Sequence, residues 1–298
     1  MSYAACVGLL PMRHKPVTKV RDSQDAACLF CGAAGPFNTI EHIVPASLGN
    51  TCDVLTGVVC DACQAYFGSK VEKAALEKTP IGFWRCLLGI RGRTGRLPSV
   101  FLDPPSGGVL PSDAAITTPG VVFSAHEDGS TSLDVYNDAT MHGILDGRIS
   151  QVRLCLSPLH LSVMGRFLGK MGLEYLARDN RAAAYASQHD LMRRFVRYGS
   201  ARELWPVYWG HTAAGYCHRR IILVEPLVEL HEVDCYSFCL GKTRRGHFVF
   251  AFSMGTDIWL VDLSSPVPSP CLQHAVEGTA LACIAYSDWA FGSPSSSP

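Results

Sequence analysis

Four cysteines stand in two matched pairs, each with two residues between its members. Cys28 and Cys31 form the first pair, and Cys60 and Cys63 form the second, with 28 residues between the pairs. Each pair places two thiolates on one tight turn, and four thiolates complete the tetrahedral coordination of Zn²⁺. A closed four-thiolate site stabilises the fold and does no chemistry of its own. The spacing therefore predicts a structural zinc site rather than four unrelated buried thiols.

A carboxylate and an imidazole stand side by side between the two cysteine pairs. Glu41 and His42 lie at the end of a short apolar run that predicts a strand. An imidazole accepts a proton near neutral pH, and a carboxylate is a hard oxygen ligand for a divalent cation. Neighbouring side chains of a strand point to opposite faces, so only a distorted backbone brings both to one site. Such a pair is also typical of a surface or capping feature, but its place between the cysteine pairs favours catalysis.

The order of these residues resembles the HNH endonuclease family. The resemblance covers residues 26–80 and rests on both cysteine pairs, the Glu-His-Ile-Val-Pro-x-Ser-Leu-Gly core at 41–49, and Phe67-Gly68 after the last cysteine. It implies a ββα-metal finger, in which two strands carry Glu41 and His42 and a helix begins near Cys63. It also implies that His42 is the general base that activates water, and that Glu41 helps to hold a catalytic Mg²⁺ or Mn²⁺.

The sequence departs from the family pattern at two positions. The family has Asn or His just after the second cysteine pair, where this chain has Gln64, which offers the same carbonyl oxygen on a longer stem. The central Asn of the family has no clear counterpart before Cys60, and Asn50 and Thr56 are the candidates. A metal site displaced by about 1 Å loses much of its activity.

Two hypotheses about function follow from these departures. The leading one is a metal-dependent endonuclease that hydrolyses phosphodiester bonds in DNA, with His42 as the base and Glu41 and Gln64 on the catalytic metal. The alternative is a catalytically weakened, zinc-stabilised module that binds nucleic acid or a protein partner. A third, motivated by domain order alone, is a nuclease finger regulated by a ligand-sensing second half.

Four arginines after the finger are candidate phosphate ligands. Glycines interleave with them and let backbone amides approach an anion, while guanidinium groups supply forked donors. A solvated basic turn is an equally good interpretation of the same residues. The arginines are Arg85, Arg91, Arg93 and Arg96.

The segment at 97–120 divides the chain into two parts. It contains five prolines and three glycines, with no sustained helical or strand period. It predicts a linker between an HNH nuclease domain at 1–96 and a mixed helix and strand accessory domain of unknown role at 121–298.

The second part has ordinary helix and strand patterns. Apolar residues at three- and four-residue steps predict an amphipathic helix over 159–177, and a second helix over 190–198 ends at Gly199. β-branched and aromatic runs predict strands, the last two of them joined in a hairpin. These strands lie at 221–224, 227–233, 248–252 and 258–261. The predicted fold class of the whole chain is α+β.

The net charge of zero averages over unlike parts of the chain. Residues 1–100 carry 11 Lys and Arg against 7 Asp and Glu, a net +4, while residues 101–150 carry −6 and the remainder +2. A basic finger fits a nucleic-acid partner, and its modest charge predicts binding that weakens readily with salt.

The cysteine count and the N-terminus bear on localisation. An odd number of cysteines, 13, in a chain of 298 residues indicates reduced thiols rather than disulfides. No basic region precedes the short apolar patch at the N-terminus, and no apolar run approaches the roughly 20 residues of a membrane helix. We therefore expect a cytoplasmic protein without a membrane partner, and the sequence leaves its oligomeric state open.

Overall fold

The fold mixes helices and strands, which confirms the predicted α+β class. It is seen in a computed structural model that describes residues 27–50, 52–92, 94–102, 121–135, 138–148, 158–200, 203–211, 224–226, 231–233, 236–276 and 279–284.

The finger begins with a turn that carries the first cysteine pair, followed by a two-stranded hairpin. Strand β1 (Ile40–His42) pairs antiparallel with β2 (Val54–Thr56), and Glu41 lies opposite Leu55. Along β1, Ile40 is exposed, Glu41 is buried and His42 is half-buried, as expected for a strand with one covered face. The predicted strand at Glu41 and His42 is therefore confirmed.

A helical segment completes the ββα unit. Helix α1 (Asp61–Tyr66) continues through a π-helical turn (Phe67–Glu72) into α2 (Lys73–Lys78), and α3 (Pro80–Leu87) follows. The helix expected near Cys63 begins two residues earlier, because Cys60 is its N-cap. Phe67, Val71 and Ala75 recur at four-residue steps and are fully buried, which holds this segment against the core.

A small sheet follows the finger. Strands β3 (Ser99–Leu102), β4 (Val121–Ala125) and β5 (Thr131–Val135) pair antiparallel in that order, and α4 (Asp138–Leu145) comes next. The interpretation of 97–120 as a linker was wrong at 99–102, which pair with β4 and form part of this sheet. The rest of that segment, 103–120, lies outside the described residues.

Three α-helices follow α4 in the described part of the chain. They are α5 (Pro158–Asp179), α6 (Arg181–Ala184) and α7 (Asp190–Tyr198), so both predicted helices are confirmed, and Gly199 caps α7. The prediction that α5 is amphipathic was wrong, because residues 160–177 are buried on every side of the helix. Of the helices in the described part of the chain, none combines the length and the apolar run that a bilayer crossing requires.

The C-terminal sheet has seven strands among the described residues. They pair in the order β12-β6-β11-β10-β9-β7, and β8 also pairs with β9. The predicted hairpin is confirmed as β10 and β11, whereas 221–223 and 227–230 of the other predicted strands lie outside the described residues. The strands are β6 (Val207–His211), β7 (Val224–Pro226), β8 (His231–Val233), β9 (Tyr236–Thr243), β10 (Phe248–Met254), β11 (Asp257–Asp262) and β12 (Ala282–Ile284).

Helix α5 lies between the finger and the C-terminal sheet, and one hydrophobic core joins all three. Phe67 of the finger, Phe167 of α5 and Phe250 of β10 are fully buried members of the same cluster. On the sheet side, the ring of Tyr175 packs edge-on against Phe238 at 4.8 Å between centroids. This arrangement explains why α5 is buried all round and brings its side chains to the finger.

Candidate functional site

The four predicted zinc ligands converge in the structure. The Sγ atoms of Cys28, Cys31, Cys60 and Cys63 all lie within 4.8 Å of one another, and those of Cys31 and Cys60 are 3.6 Å apart. A tetrahedral Zn²⁺ with Zn–S bonds of about 2.3 Å separates its sulfurs by about 3.8 Å. Gly32 closes the first turn in the left-handed region, at φ 72°, and its N–H donates to the Cys28 carbonyl. The four cysteines are thus gathered for a metal such as zinc.

The cluster favours a thiolate at Cys28. A hydrogen bond from the Cys63 thiol lowers the pKa of Cys28 to about 4, and backbone N–H groups, including that of Cys60 at 3.4 Å, contribute. The same hydrogen bond, together with burial, raises the pKa of Cys63, and burial raises that of Cys60. A bound metal must displace the remaining protons, so metal affinity falls as the pH is lowered.

Glu41 and His42 face opposite sides of β1, as the alternation of a strand requires. The side chain of Glu41 is buried and points toward α5, whereas that of His42 is half-buried. Among the described residues, the imidazole of His42 has no hydrogen-bond partner. Its nitrogens are therefore available to a water molecule.

A buried lysine from α5 contacts Glu41. The ammonium of Lys170, which has no exposed surface, lies 2.6 Å from Oε1 of Glu41, 2.9 Å from Oε1 of Glu72 and 2.9 Å from Oε2 of Glu174. It also donates to the His42 carbonyl at 3.2 Å. The other carboxylate oxygens of Glu41 and Glu174 are buried without a hydrogen-bond partner among the described residues. Lys170 thus pairs with one of the two carboxylate oxygens of Glu41 and leaves the other unpaired among the described residues.

Gln64 lies beside the strand that carries Glu41 and His42. Its Nε2 donates to the carbonyl of Ile40 at 2.6 Å, the carbonyl of the peptide that joins Ile40 to Glu41. The amide nitrogen cannot bind a metal, but the amide oxygen can. The side chain of Gln64, which is one methylene longer than that of Asn, therefore reaches the backbone of β1.

Asn50, one candidate for the missing central Asn, holds the loop between β1 and β2. Its amide donates to the carbonyls of Val44 and Asp53, and its oxygen accepts from the N–H groups of Cys52 and Asp53. Two donors and two lone pairs are the full capacity of an amide side chain. Asn50 therefore has no free group for a metal.

The candidate phosphate-binding arginines lie in different environments. Arg85 is buried, and its Nε donates to the Ser47 carbonyl at 2.9 Å. Arg91 pairs with Glu127 on the surface, and Arg96 is exposed. Arg93 lies outside the described residues. Arg85 thus fixes the finger loop, and Arg96 is the described member of the set that is freest to contact a phosphate.

Sequence reasoning missed the charged side chains that the C-terminal helices bring to the finger. Arg166, Lys170 and Glu174 recur at four-residue steps along α5, a helix that is otherwise mostly apolar. Charged side chains are rarely buried unless they are paired, so this stripe is a signal that α5 faces polar partners. Arg166 donates from Nη2 to the hydroxyl of Tyr66 at 2.5 Å, and Arg197 of α7 donates from Nε to Cys63 Sγ at 3.2 Å.

Comparison with known proteins gives a family match to the finger. No curated protein and no solved structure matches the chain. Residues 28–80, which hold all four cysteines, Glu41, His42 and Gln64, match the family model described as HNH endonuclease.

Proposed function

We propose that the protein is a metal-dependent HNH endonuclease that hydrolyses phosphodiester bonds in nucleic acid, with DNA as the expected substrate. The observation that carries this proposal is the match of 28–80 to the HNH endonuclease family, a segment that contains the hairpin with Glu41 and His42 and the four clustered cysteines. No disulfide joins any of the nine described cysteines, and we propose a reducing, cytoplasmic setting for the protein.

His42 is the proposed general base. Its half-buried imidazole lies on the face of β1 opposite Glu41, and no described residue occupies its nitrogens. It takes the proton of a water molecule whose oxygen bonds to the phosphorus atom while the bond from phosphorus to the leaving oxygen breaks. The leaving oxygen takes up a proton from solvent, and the protonated ring releases its own proton to solvent. The structural zinc takes no part in this step, because four thiolates leave it no open coordination position.

The candidate ligands of a catalytic Mg²⁺ or Mn²⁺ are hard oxygens of the finger, and a distortion of β1 is needed to bring Glu41 to the side of the strand that carries His42. Oε2 of Glu41 is a buried oxygen with no hydrogen-bond partner among the described residues, and the amide oxygen of Gln64 is the second candidate ligand. A bound divalent cation supplies charge stabilisation for the phosphate and the leaving oxygen. Lys170 fixes the other oxygen of Glu41, and the exposed Arg96 is the proposed contact for a flanking phosphate of the substrate.

Plasmid cleavage with Mg²⁺ or Mn²⁺ tests the proposal. We expect His42→Ala to lower the cleavage rate by about 100-fold or more, because general base catalysis contributes 10²- to 10⁴-fold. His142→Ala, which removes an exposed histidine on α4, is the control and is expected to cleave like the wild type. Equal rates for wild type and His42→Ala would sink the assignment.

One observation favours the alternative, a zinc-stabilised binding module without catalysis. The Lys170 ammonium lies 2.6 Å from Glu41, the distance of a full ion pair, and neutralises the carboxylate that a divalent cation requires. Gel-shift binding of DNA with no metal-dependent cleavage supports this alternative. Robust nicking that requires Mg²⁺ or Mn²⁺ excludes it.

A further inference from the structure

Arg197 makes a long-range contact with the cysteine cluster. It lies on α7, 134 residues after Cys63, and its Nε donates to the Cys63 sulfur at 3.2 Å. We propose that Arg197 is a positioning residue of the zinc centre, a side chain from the C-terminal half that donates to a zinc-bound thiolate and sets the affinity of the site. This inference is independent of whether the finger cleaves nucleic acid.

The charge of the centre gives this contact its chemical role. Zn²⁺ with four thiolates carries two net negative charges, which are stabilised by N–H donors and cations at the sulfurs. A guanidinium stays charged at any accessible pH and donates in a fixed plane. A hydrogen bond from Arg197 therefore reduces the repulsion between the thiolates and strengthens their hold on the metal.

The guanidinium is held in place by groups other than the cysteine. It lies over the ring of Tyr66, 4.2 Å from the centroid, one turn after Cys63 on α1. Tyr66 is itself held by Arg166, which donates to its hydroxyl at 2.5 Å and to the carbonyl of Val196 at 3.0 and 3.1 Å. Val196 precedes Arg197, so α1, α5 and α7 form a closed set of contacts around the donor.

The other two arginines of α7, Arg193 and Arg194, make no contact with the finger among the described residues. Arg193 directs its guanidinium to the carbonyls of Ala184 and Ala186 and to Asp190, all close in sequence. Arg194 is exposed. Only Arg197 among these three reaches the finger in the described part of the chain.

Zinc affinity of the full-length chain tests the proposal. Wild type, Arg197→Gln, Arg197→Lys and the control Arg194→Gln are titrated against a chromogenic zinc chelator. We expect Arg197→Gln to bind zinc about 10- to 100-fold more weakly, the usual effect of losing a partner of a metal ligand. Arg197→Lys keeps the charge without the planar fork and is expected to fall between wild type and Arg197→Gln. Arg194→Gln is expected to match wild type.

Cobalt substitution distinguishes donation of a hydrogen bond from Arg197 to the Cys63 sulfur from a purely packing role of Arg197. Co²⁺ replaces Zn²⁺ at such sites, and its sulfur-to-metal charge-transfer band responds to hydrogen bonds at the sulfurs. We expect the band to shift in Arg197→Gln and not in Arg194→Gln, in samples whose circular dichroism shows an intact fold. An unchanged zinc affinity and an unchanged band in Arg197→Gln overturn the proposal, as does a full-length protein that binds no zinc.

Discussion

At Lys170, one buried ammonium faces three carboxylates. Burial opposes its charge, but Glu174, Glu72 and Glu41 outweigh that effect and hold the pKa of Lys170 well above its ordinary value. Burial also raises the pKa of Glu174 well above its ordinary value, in spite of Lys170. The cluster therefore favours a charged Lys170 and opposes ionisation of Glu174.

Lys170→Met is expected to destabilise the protein strongly. Removing one partner of a buried ion pair leaves carboxylates without compensation and costs about 3–5 kcal/mol. Urea unfolding of the zinc-loaded protein at pH 7 measures this loss. Arg148→Met, which removes a surface ion pair with Asp146, is the control and is expected to leave stability nearly unchanged. If both variants unfold at the same urea concentration, the cluster has no such role.

The site residues that could be predicted from the sequence lie close together along the chain. The cysteine pairs and the Glu41–His42 pair are defined by spacing within 36 residues, and the structure gathers the four cysteines as expected. Lys170 lies 128 residues after His42 and has no local pattern that links it to the finger. Its role depends on the way α5 packs, which the spacing of residues in the finger does not determine.

At the scale of elements, two glycines let α5 pack closely on two sides. A Cβ at Gly169 would lie 2.5 Å from the Met192 sulfur on α7, and one at Gly172 would lie 2.7 Å from Phe250 Cβ on the sheet. At both positions these distances are shorter than any ordinary contact. Gly169 and Gly172 therefore set how closely α5 approaches α7 and the sheet.

Gly172→Ala is expected to destabilise the protein although alanine is the better helix former. Alanine gains about 1 kcal/mol in helix propensity, but overpacking against Phe250 and Leu263 costs about 2–3 kcal/mol, the upper part of the usual range, because the nearest atom is the Cβ of Phe250, close to the backbone. We expect a net loss of about 1–2 kcal/mol in chemical unfolding. The control is Gly68→Ala in the π-helical turn, where an added Cβ meets no atom within 4 Å. A Gly172→Ala protein as stable as wild type contradicts close packing at this position.

Elements with local signals could be predicted from the sequence, and elements defined by distant partners could not. The hairpin of β10 and β11 and the helix α7 follow from residue types and a short turn, and both are confirmed. The strand at 99–102 was missed because its partner β4 lies beyond a Pro- and Gly-rich segment. The all-round burial of α5 was missed because its covering partners are the finger and a distant sheet.

At the scale of the whole molecule, the finger and the C-terminal sheet share one core through α5. Arg178 pairs with Asp53 at 2.6 Å, and Tyr185 donates to the Ala27 carbonyl at 2.6 Å, so polar contacts reinforce the apolar ones. These contacts favour a single cooperative unit. The division into domains at 1–96 and 121–298 remains a prediction.

Loss of one zinc ligand is therefore expected to destabilise the whole chain. We expect Cys60→Ser to lower the melting temperature in calorimetry while keeping one transition, because structural zinc contributes folding free energy. Near-ultraviolet circular dichroism of the tryptophans, including the buried Trp259, should melt with that same transition. Cys271→Ser, which changes an exposed cysteine outside the centre, is the control. Two separated transitions in Cys60→Ser, with the sheet unaffected, contradict the shared core.

The long separation between Glu41 and Lys170 also sets an order of events during synthesis. At about 5 to 20 residues per second, the 128 residues that separate Lys170 from His42 take about 6 to 26 s to emerge. The four cysteines are complete once residue 63 has been made, whereas the cation that covers Glu41 arrives later. A metal such as zinc can therefore be bound by the nascent finger first, and the buried ion cluster forms only after α5 has folded onto it.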